Sequence, residues 1–315
     1  MGKCLICVRK DNDLTMQAHT PNHLRPGDEI RIISTARAVD KEFIDLAIAE
    51  IKKRGFSVSL GENLFKRDNQ FAGADAERLA DLNEAVRDKN VRAIFAARGG
   101  YGTARLLKEF DGKAFNNDPK WICGYSDITA LHSHILNVFH TQSIHSTMPV
   151  NFSTNTVKAL DSLFDLLGGE SLKYESEMHG LNREGNGEGA MIGGNLSMLY
   201  SLLGSTAQAS TDGKILFLED LDEYLYHVDR MMLALDRAGI LENLSGLVVG
   251  SMTEMNDNKV PFGKTAEEII SERVSAYKYP VAFNFPSGHI DDNRAWIHGK
   301  KIRLTVRNGQ PSLLQ

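Results

Sequence analysis

Several short runs in this chain are apolar on both faces. VRAIFAA (91–97), WICG (121–124), KILFLE (214–219) and GLVVG (246–250) leave almost no position for a solvent-facing side chain. A strand with one wet face alternates apolar and polar residues, so strands of this kind have to be covered on both sides. The segments between them carry helical spacing. Phe43, Leu46, Ala47 and Ile51 form one stripe that Gly55 ends, and Leu79, Leu82 and Val86 form another within 75–88. Repeated strand–helix alternation predicts an α/β fold on a parallel sheet. Ligands on such sheets bind beyond the carboxyl ends of the strands. RGGYG (98–102) and GYSD (124–127) both fall there.

The chain divides into an N-terminal arm (1–22), an N-terminal α/β domain (23–168), a polar, glycine-rich linker (169–189) and a smaller mixed C-terminal domain (190–315). In the first domain Pro26-Gly27 turns into a strand near 30–35, FSVSLG and SIHST read as short strands, and TARLLKEF and 155–168 read as helices. The second starts with MIGGNLSMLYSLLG, with helices near 225–238 and 265–276 and short strands near 281, 296 and 303.

Composition excludes several classes of function. Net charge is −5 over 315 residues, so no basic field draws nucleic acid or anionic lipid. No apolar run approaches the roughly 20 residues that span a bilayer. MGKCLICVRK has too short an apolar stretch for a signal peptide, so a cytoplasmic location is expected. Cys4 and Cys7 make a C-x-x-C spacing without a strand–helix junction or further zinc ligands, and read as incidental. Cys123 reads as a small buried strand residue.

Ser126 stands where the buried strand WICG passes into a helix. A nucleophilic serine needs an exposed Oγ, a base and donors for the oxyanion. A sharp strand-to-helix turn projects the side chain and leaves unpaired N–H groups beside it. The Asp127 N–H is one natural donor, and Gly99 or Gly100 suits a second because glycine allows close approach. Capping of the helix by Ser126 or Asp127 accounts for the same residues, and local sequence alone favours it. Ile128 replaces the second glycine of G-x-S-x-G, which argues against an ordinary α/β-hydrolase.

Among the histidines, His289 sits in a turn-rich loop, FPSGHIDDNRAW, where a mobile catalytic imidazole fits, although local sequence alone favours a surface turn residue. His132 and His134 are two apart and face different ways on a helix, a poor metal pair. His140 and His145 read as structural, and His227 lies in a helical segment beside Asp229 and Arg230. Glu219 is the first carboxylate at the end of the strand KILFLE, placed to reach a histidine Nδ1. Asp220, Asp222 and Glu223 behind it raise a metal site as the rival, without the spacing of a calcium loop. RGGYG lacks the dinucleotide spacing. IGGNLS offers either an anion-binding helix start or glycines for close domain packing.

Taken together, RGGYGTARLL (98–107), GYSDITAL (124–131), LFLEDLDEYLYHVDRMM (216–232) and GHIDDNRA (288–295) resemble the LD-carboxypeptidases of serine peptidase family S66. LRPGDEIRIIS and IGGNLSMLYSLLGS extend the resemblance over about 24–306. It implies a flavodoxin-like or Rossmann-like N-terminal domain with a parallel sheet, plus a smaller C-terminal domain with a β-rich sheet or barrel. It implies a triad of Ser126, Glu219 and His289, backbone oxyanion donors at Gly100 and Asp127, and a site between the domains. The implied reaction is hydrolysis of the L,D bond to the terminal D-alanine of murein tetrapeptides, in peptidoglycan recycling, with no metal or organic cofactor. Homodimers are common in the family.

Such an exopeptidase must also grip a terminal carboxylate, for which Arg98, Arg230 and Arg294 are the candidates. The microcin-immunity branch of the family, acting on peptidyl or aminoacyl adenylates, is the nearest alternative; it needs an aromatic platform, and only Trp121 and Trp296 are tryptophans here. A non-catalytic module for cell-wall peptides or nucleotides is the alternative of another class. Two departures stand out. ISTAR (33–37) replaces the Ser-Pro turn of many relatives, and the arm is long enough that Met16 offers a second start.

Overall fold

The computed structural model describes residues 18–208 and 210–315. Cys4, Cys7, Met16 and most of the arm lie outside the described residues.

The first half is a run of strand–helix units: β1 (Glu29–Ile33), α1 (Lys41–Lys53), β2 (Ser57–Leu60), α2 (Asp75–Arg87), β3 (Val91–Ala96), α3 (Gly112–Asn117), β4 (Trp121–Gly124), α4 (Thr129–Phe139), β5 (Ser143–His145) and α5 (Val157–Gly168). Strands β2-β1-β3-β4-β5 lie side by side in that order, all parallel. The edge strand β2 is only partly covered, while the interior residues of β1, β3, β4 and β5 are buried because separate apolar clusters cover the two faces. Ile30, Ile32, Phe95, Trp121 and Cys123 meet α1 and α5 on one, and Ile33, Ile94 and Ile122 meet α2 and α4 on the other. The stripe on α1 differs from the one read in the sequence. Ile44, Ala47 and Ile51 are buried, whereas Phe43 and Leu46 are 38% and 49% exposed. Starting the i, i+3, i+7 series one residue later gives the face the sheet covers.

The second half contributes β6 (Lys173–Glu175), β7 (Gly185–Asn195), α6 (Leu196–Ser201), β8 (Ile215–Leu221), α7 (Leu225–Arg237), β9 (Gly246–Thr253), α8 (Ala266–Arg273), β10 (Val281–Ala282), β11 (Trp296–His298), β12 (Lys301–Arg307) and β13 (Gln310–Leu314). Seven of these form a sheet in the order β10-β9-β8-β7-β12-β13-β6. β10 to β7 are parallel, and β7, β12, β13 and β6 are antiparallel. The fold class is therefore the expected one: a parallel α/β sheet beside a smaller mixed lobe. The stretch read as a linker, 169–189, contains β6 and the first turns of pairing in β7.

β11 is the exception to the division. It leaves the second half of the sequence and pairs antiparallel with β5, matching Trp296 to His145 and His298 to Ser143. The Trp296 ring stacks on His145 at 5.0 Å and also meets Phe217 of β8 at 5.0 Å. Leu136 of α4 joins the second lobe's core. The lobes thus share buried side chains as well as a chain crossing. Among the described residues no helix is long and apolar enough to cross a membrane.

Candidate active site

β4 ends at Gly124, Tyr125 is extended, and Ser126 takes φ 63°, the left-handed region. A non-glycine residue there costs about 1–3 kcal/mol and needs surrounding structure to hold it. Gly99, beyond β3, makes the room: an added Cβ would stand 3.1 Å from Ser126 Cβ and 3.3 Å from its Oγ. Gly100 follows with φ 111°. Ser126 Oγ lies 3.1 Å from Nε2 of His289. The Asp127 carboxylate accepts the Thr103 N–H at 2.8 Å, tying the loop after β3 to the turn after β4. Neither side chain caps α4, so the capping expected from local sequence is not what occupies them.

The imidazole is gripped from its other side. His289 Nδ1 lies 2.6 Å from Oε2 of Glu219, a fully buried carboxylate. The β8–β9 pairing shifts register between Leu218 and Asp220. A bulge of this kind re-aims one side chain of a strand; here the residue inside it is Glu219. With Nδ1 facing a carboxylate, the neutral ring carries its proton there and leaves Nε2 to accept from the serine hydroxyl. Burial opposes charge on His289, but the Glu219 charge and hydrogen bond outweigh it and raise the pKa above the usual histidine value. The Tyr125 ring packs 4.8 Å from the imidazole, centre to centre.

The acids behind Glu219 go elsewhere. Asp220 accepts from Asn195 Nδ2 at 2.7 Å and from the amides of Ser197 and Leu221, both at 2.9 Å. Burial and the neighbouring Glu219 charge push its pKa up to about 7. Asp222 accepts from Asn256 at 2.7 Å, and Glu223 pairs with His227 at 2.6 Å. These carboxylates diverge, and no group of three or more metal-ligating side chains converges among the described residues. IGGNLS proves to be a packing element: an added Cβ on Gly194 would stand 2.4 Å from Thr129 Oγ1, at the start of α4, while Asn195 caps α6.

Of the three arginines, Arg294 is paired with Asp292 at 2.8 Å, and Arg98 donates to the Ala38 carbonyl at 3.1 Å. Arg230 stands on α7 with its guanidinium 5.2 Å from the Tyr226 ring centre. None of the three hydrogen-bonds to Ser126, Glu219 or His289. The sequence reading missed a buried seam behind the serine. His132, His145 and His298 are all fully buried there, with His132 and His298 stacked at 5.7 Å. The signal was a pair of matching three-residue strands, SIH and WIH, each ending in histidine.

Comparison with known proteins finds named relatives of this chain. A profile described as the LD-carboxypeptidase N-terminal domain matches residues 30–146, and one described as the LD-carboxypeptidase C-terminal domain matches 188–304. The chain is 33% identical to a probable murein peptide carboxypeptidase of Bacillus subtilis, over 91% of this chain and 92% of that one. A crystal structure of muramoyltetrapeptide carboxypeptidase from Oxalobacter formigenes superposes with TM-score 0.83 at 29% identity, covering 91% of this chain and 98% of the other. MccF in complex with glutamyl sulfamoyl guanosine shares the fold, with TM-score 0.84 at 21% identity over 94% and 98% of the two chains.

Proposed function

The chain belongs to the LD-carboxypeptidases of serine peptidase family S66, and from that premise we propose that it removes the terminal D-alanine of murein tetrapeptides by a Ser–His–Glu acyl-enzyme mechanism. It is an enzyme with carboxypeptidase activity on murein peptides; the bond, the tetrapeptide and the mechanism are the proposal. The observation that carries it is the unbroken path from Glu219 through His289 to Ser126, at 2.6 and 3.1 Å.

In this reading Ser126 Oγ attacks the carbonyl carbon of the penultimate, L-configured centre while His289 Nε2 takes its proton. The oxyanion is held by the amides of Gly100 and Asp127; losing one such donor costs about 3 kcal/mol of transition-state stabilisation. His289 then gives its proton to the D-alanine nitrogen as the C–N bond breaks. Water, deprotonated by the same imidazole, releases the acyl group from Ser126. Glu219 holds the Nδ1–H tautomer and stabilises the cation between these steps. A homodimer in the cytoplasm accords with the same family reading.

The adenylate-cleaving alternative gains nothing from the tryptophans. Trp121 and Trp296 are both fully buried, so neither presents an indole to a nucleobase. Mass spectrometry of purified muropeptides tests the proposal. Wild type is expected to release D-alanine from the tetrapeptide, and Ser126→Ala to lose that release by about 10⁴-fold or more while still folding. Turnover of an aminoacyl adenylate without D-alanine release would sink the murein reading; tight peptide binding with no release would favour the binding module.

A further inference from the structure

We propose that Arg37 binds the terminal carboxylate of the substrate and so makes this enzyme an exopeptidase; the inference rests on the carboxypeptidase reading above. In a peptide losing its last residue, the free carboxylate lies only a few bonds from the carbon that Ser126 attacks. Its partner must therefore stand beside the oxyanion donors and have hydrogen bonds to spare.

Arg37 meets both conditions. It stands just past the carboxyl end of β1, next to the loop that leaves β3. Its backbone N–H donates to the Gly99 carbonyl at 3.4 Å. Its side chain crosses the open face of Gly100, where an added Cβ would be 2.5 Å from Arg37 Cδ and 2.8 Å from Nε. Gly99 touches Ser126 and Gly100 touches Arg37, so two adjacent glycines separate nucleophile from guanidinium. The side chain is exposed, and among the described residues its guanidinium has no ion-pair or hydrogen-bond partner. Of the arginines suggested by the sequence, Arg294 is paired with Asp292 and Arg98 donates to the Ala38 carbonyl, while Arg230 lies on α7 against the Tyr226 ring and not beside Gly99 or Gly100.

The backbone that presents Arg37 is hydrogen-bonded on both sides of it. Ala36 and Ala38 on either side are buried. The Ala36 carbonyl accepts the Ala72 N–H and the Ala38 N–H donates to Gln70, both at 3.0 Å. Arg98 closes the same loop through the Ala38 carbonyl at 3.1 Å, which makes it the fastener of the loop and not the carboxylate ligand. A guanidinium whose N–H groups are free pairs with a planar carboxylate through two parallel N–H···O bonds.

The test compares a murein tetrapeptide with its C-terminal amide on wild type, Arg37→Ala and Arg37→Lys. Arg37→Ala is expected to raise KM for the free acid about 10- to 100-fold with kcat little changed, the value of a charge-assisted contact. Arg37→Lys should recover part of that loss, because the charge stays and the fork does not. The amide should respond to neither change. Equal losses on acid and amide, or no loss on either, would overturn the assignment. Calorimetric binding to Ser126→Ala, with and without Arg37→Ala, separates this from the reaction itself. If wild type releases no D-alanine yet Ser126→Ala prefers the acid through Arg37, the hydrolase reading fails and the carboxylate site stands. Binding with no such preference removes the site.

Discussion

Ser126 and His289 meet across the two sheets, 3.1 Å apart, although 163 residues separate them in sequence. His289 lies on the segment that leaves the second sheet at β10 and enters the first at β11. The chain crossing that joins the lobes is therefore the same one that carries the imidazole. Docking of β11 against β5 fixes one end of that segment, and Gly288 N–H bonded to Asn293 Oδ1 at 2.9 Å closes it on itself.

Loosening β11 should cost both stability and catalysis. Trp296 is fully buried between His145 and Phe217. Trp296→Ala is expected to destabilise the fold by about 3–5 kcal/mol, and Trp296→Phe by less. Urea titration gives the stability and D-alanine release the activity. For Trp296→Phe, kcat should fall more than the folded fraction does. A fall that merely tracks the folded fraction would show that the crossing does not position His289.

The pH profile should report the Glu219–His289 pair. His289 must be neutral to act as a base, and Glu219 raises its pKa despite burial. The acid limb of kcat/KM should therefore inflect above 6.5, the ordinary histidine value. Glu219→Gln removes the raising charge, so the inflection should move down while kcat drops by about 10⁴-fold. An inflection at the same pH in both proteins would show that the limb belongs to another group.

Gly288→Ala should disable the site with little effect on the cores. Gly288 has φ 118°, and an added Cβ would stand 2.3 Å from Ser251 Oγ and 3.0 Å from Glu219 Oε2. Ser251 Oγ and Glu219 Oε1 are both buried without a hydrogen-bond partner, so this spot has no spare polar support. The methyl must displace the Glu219 carboxylate or the His289 backbone. A loss of about 10²-fold in kcat is expected for a misplacement near 1 Å, read by steady-state kinetics. Unchanged kcat would mean the loop absorbs the methyl elsewhere.

The strands were legible because local chemistry marks them, whereas Ser126, Glu219 and His289 became a set only through the family resemblance, since local sequence favours a cap for Ser126 and a surface turn for His289. WICG and GLVVG have no polar face, and Ser126 and Glu219 each stand where such a run ends. What tertiary packing decides was not legible. Phe43 and Leu46 sit on the wrong side of α1 because the register of the helix on its sheet, not its spacing, chooses the face. β6 is a three-residue edge strand whose partner, β13, lies far away in sequence. Arg37 carries no motif at all; only the approach of its side chain to Gly100 singles it out.

The buried histidines behind Ser126 should make the fold acid-sensitive in a definite window. His132 Nδ1 meets Ser143 Oγ at 2.8 Å and its Nε2 meets the Gly124 carbonyl at 2.9 Å, with no carboxylate to hold a proton. Burial lowers its pKa to about 4, and burial drives His145 and His298 lower than the usual value too. A group depressed in the folded state and near 6.5 unfolded takes up its proton on unfolding. Stability is then complete above 6.5 and falls as pH drops towards 4. His289 and Asp220, both raised, act with the opposite sign in part of this range, so the comparison must be between proteins. The stability lead of wild type over His132→Gln should shrink by roughly 3 kcal/mol between pH 6.5 and 4, at 1.36 kcal/mol per pKa unit. Paired denaturation curves across that range measure it. A lead independent of pH would mean that His132 is protonated in the folded protein or that water reaches the seam.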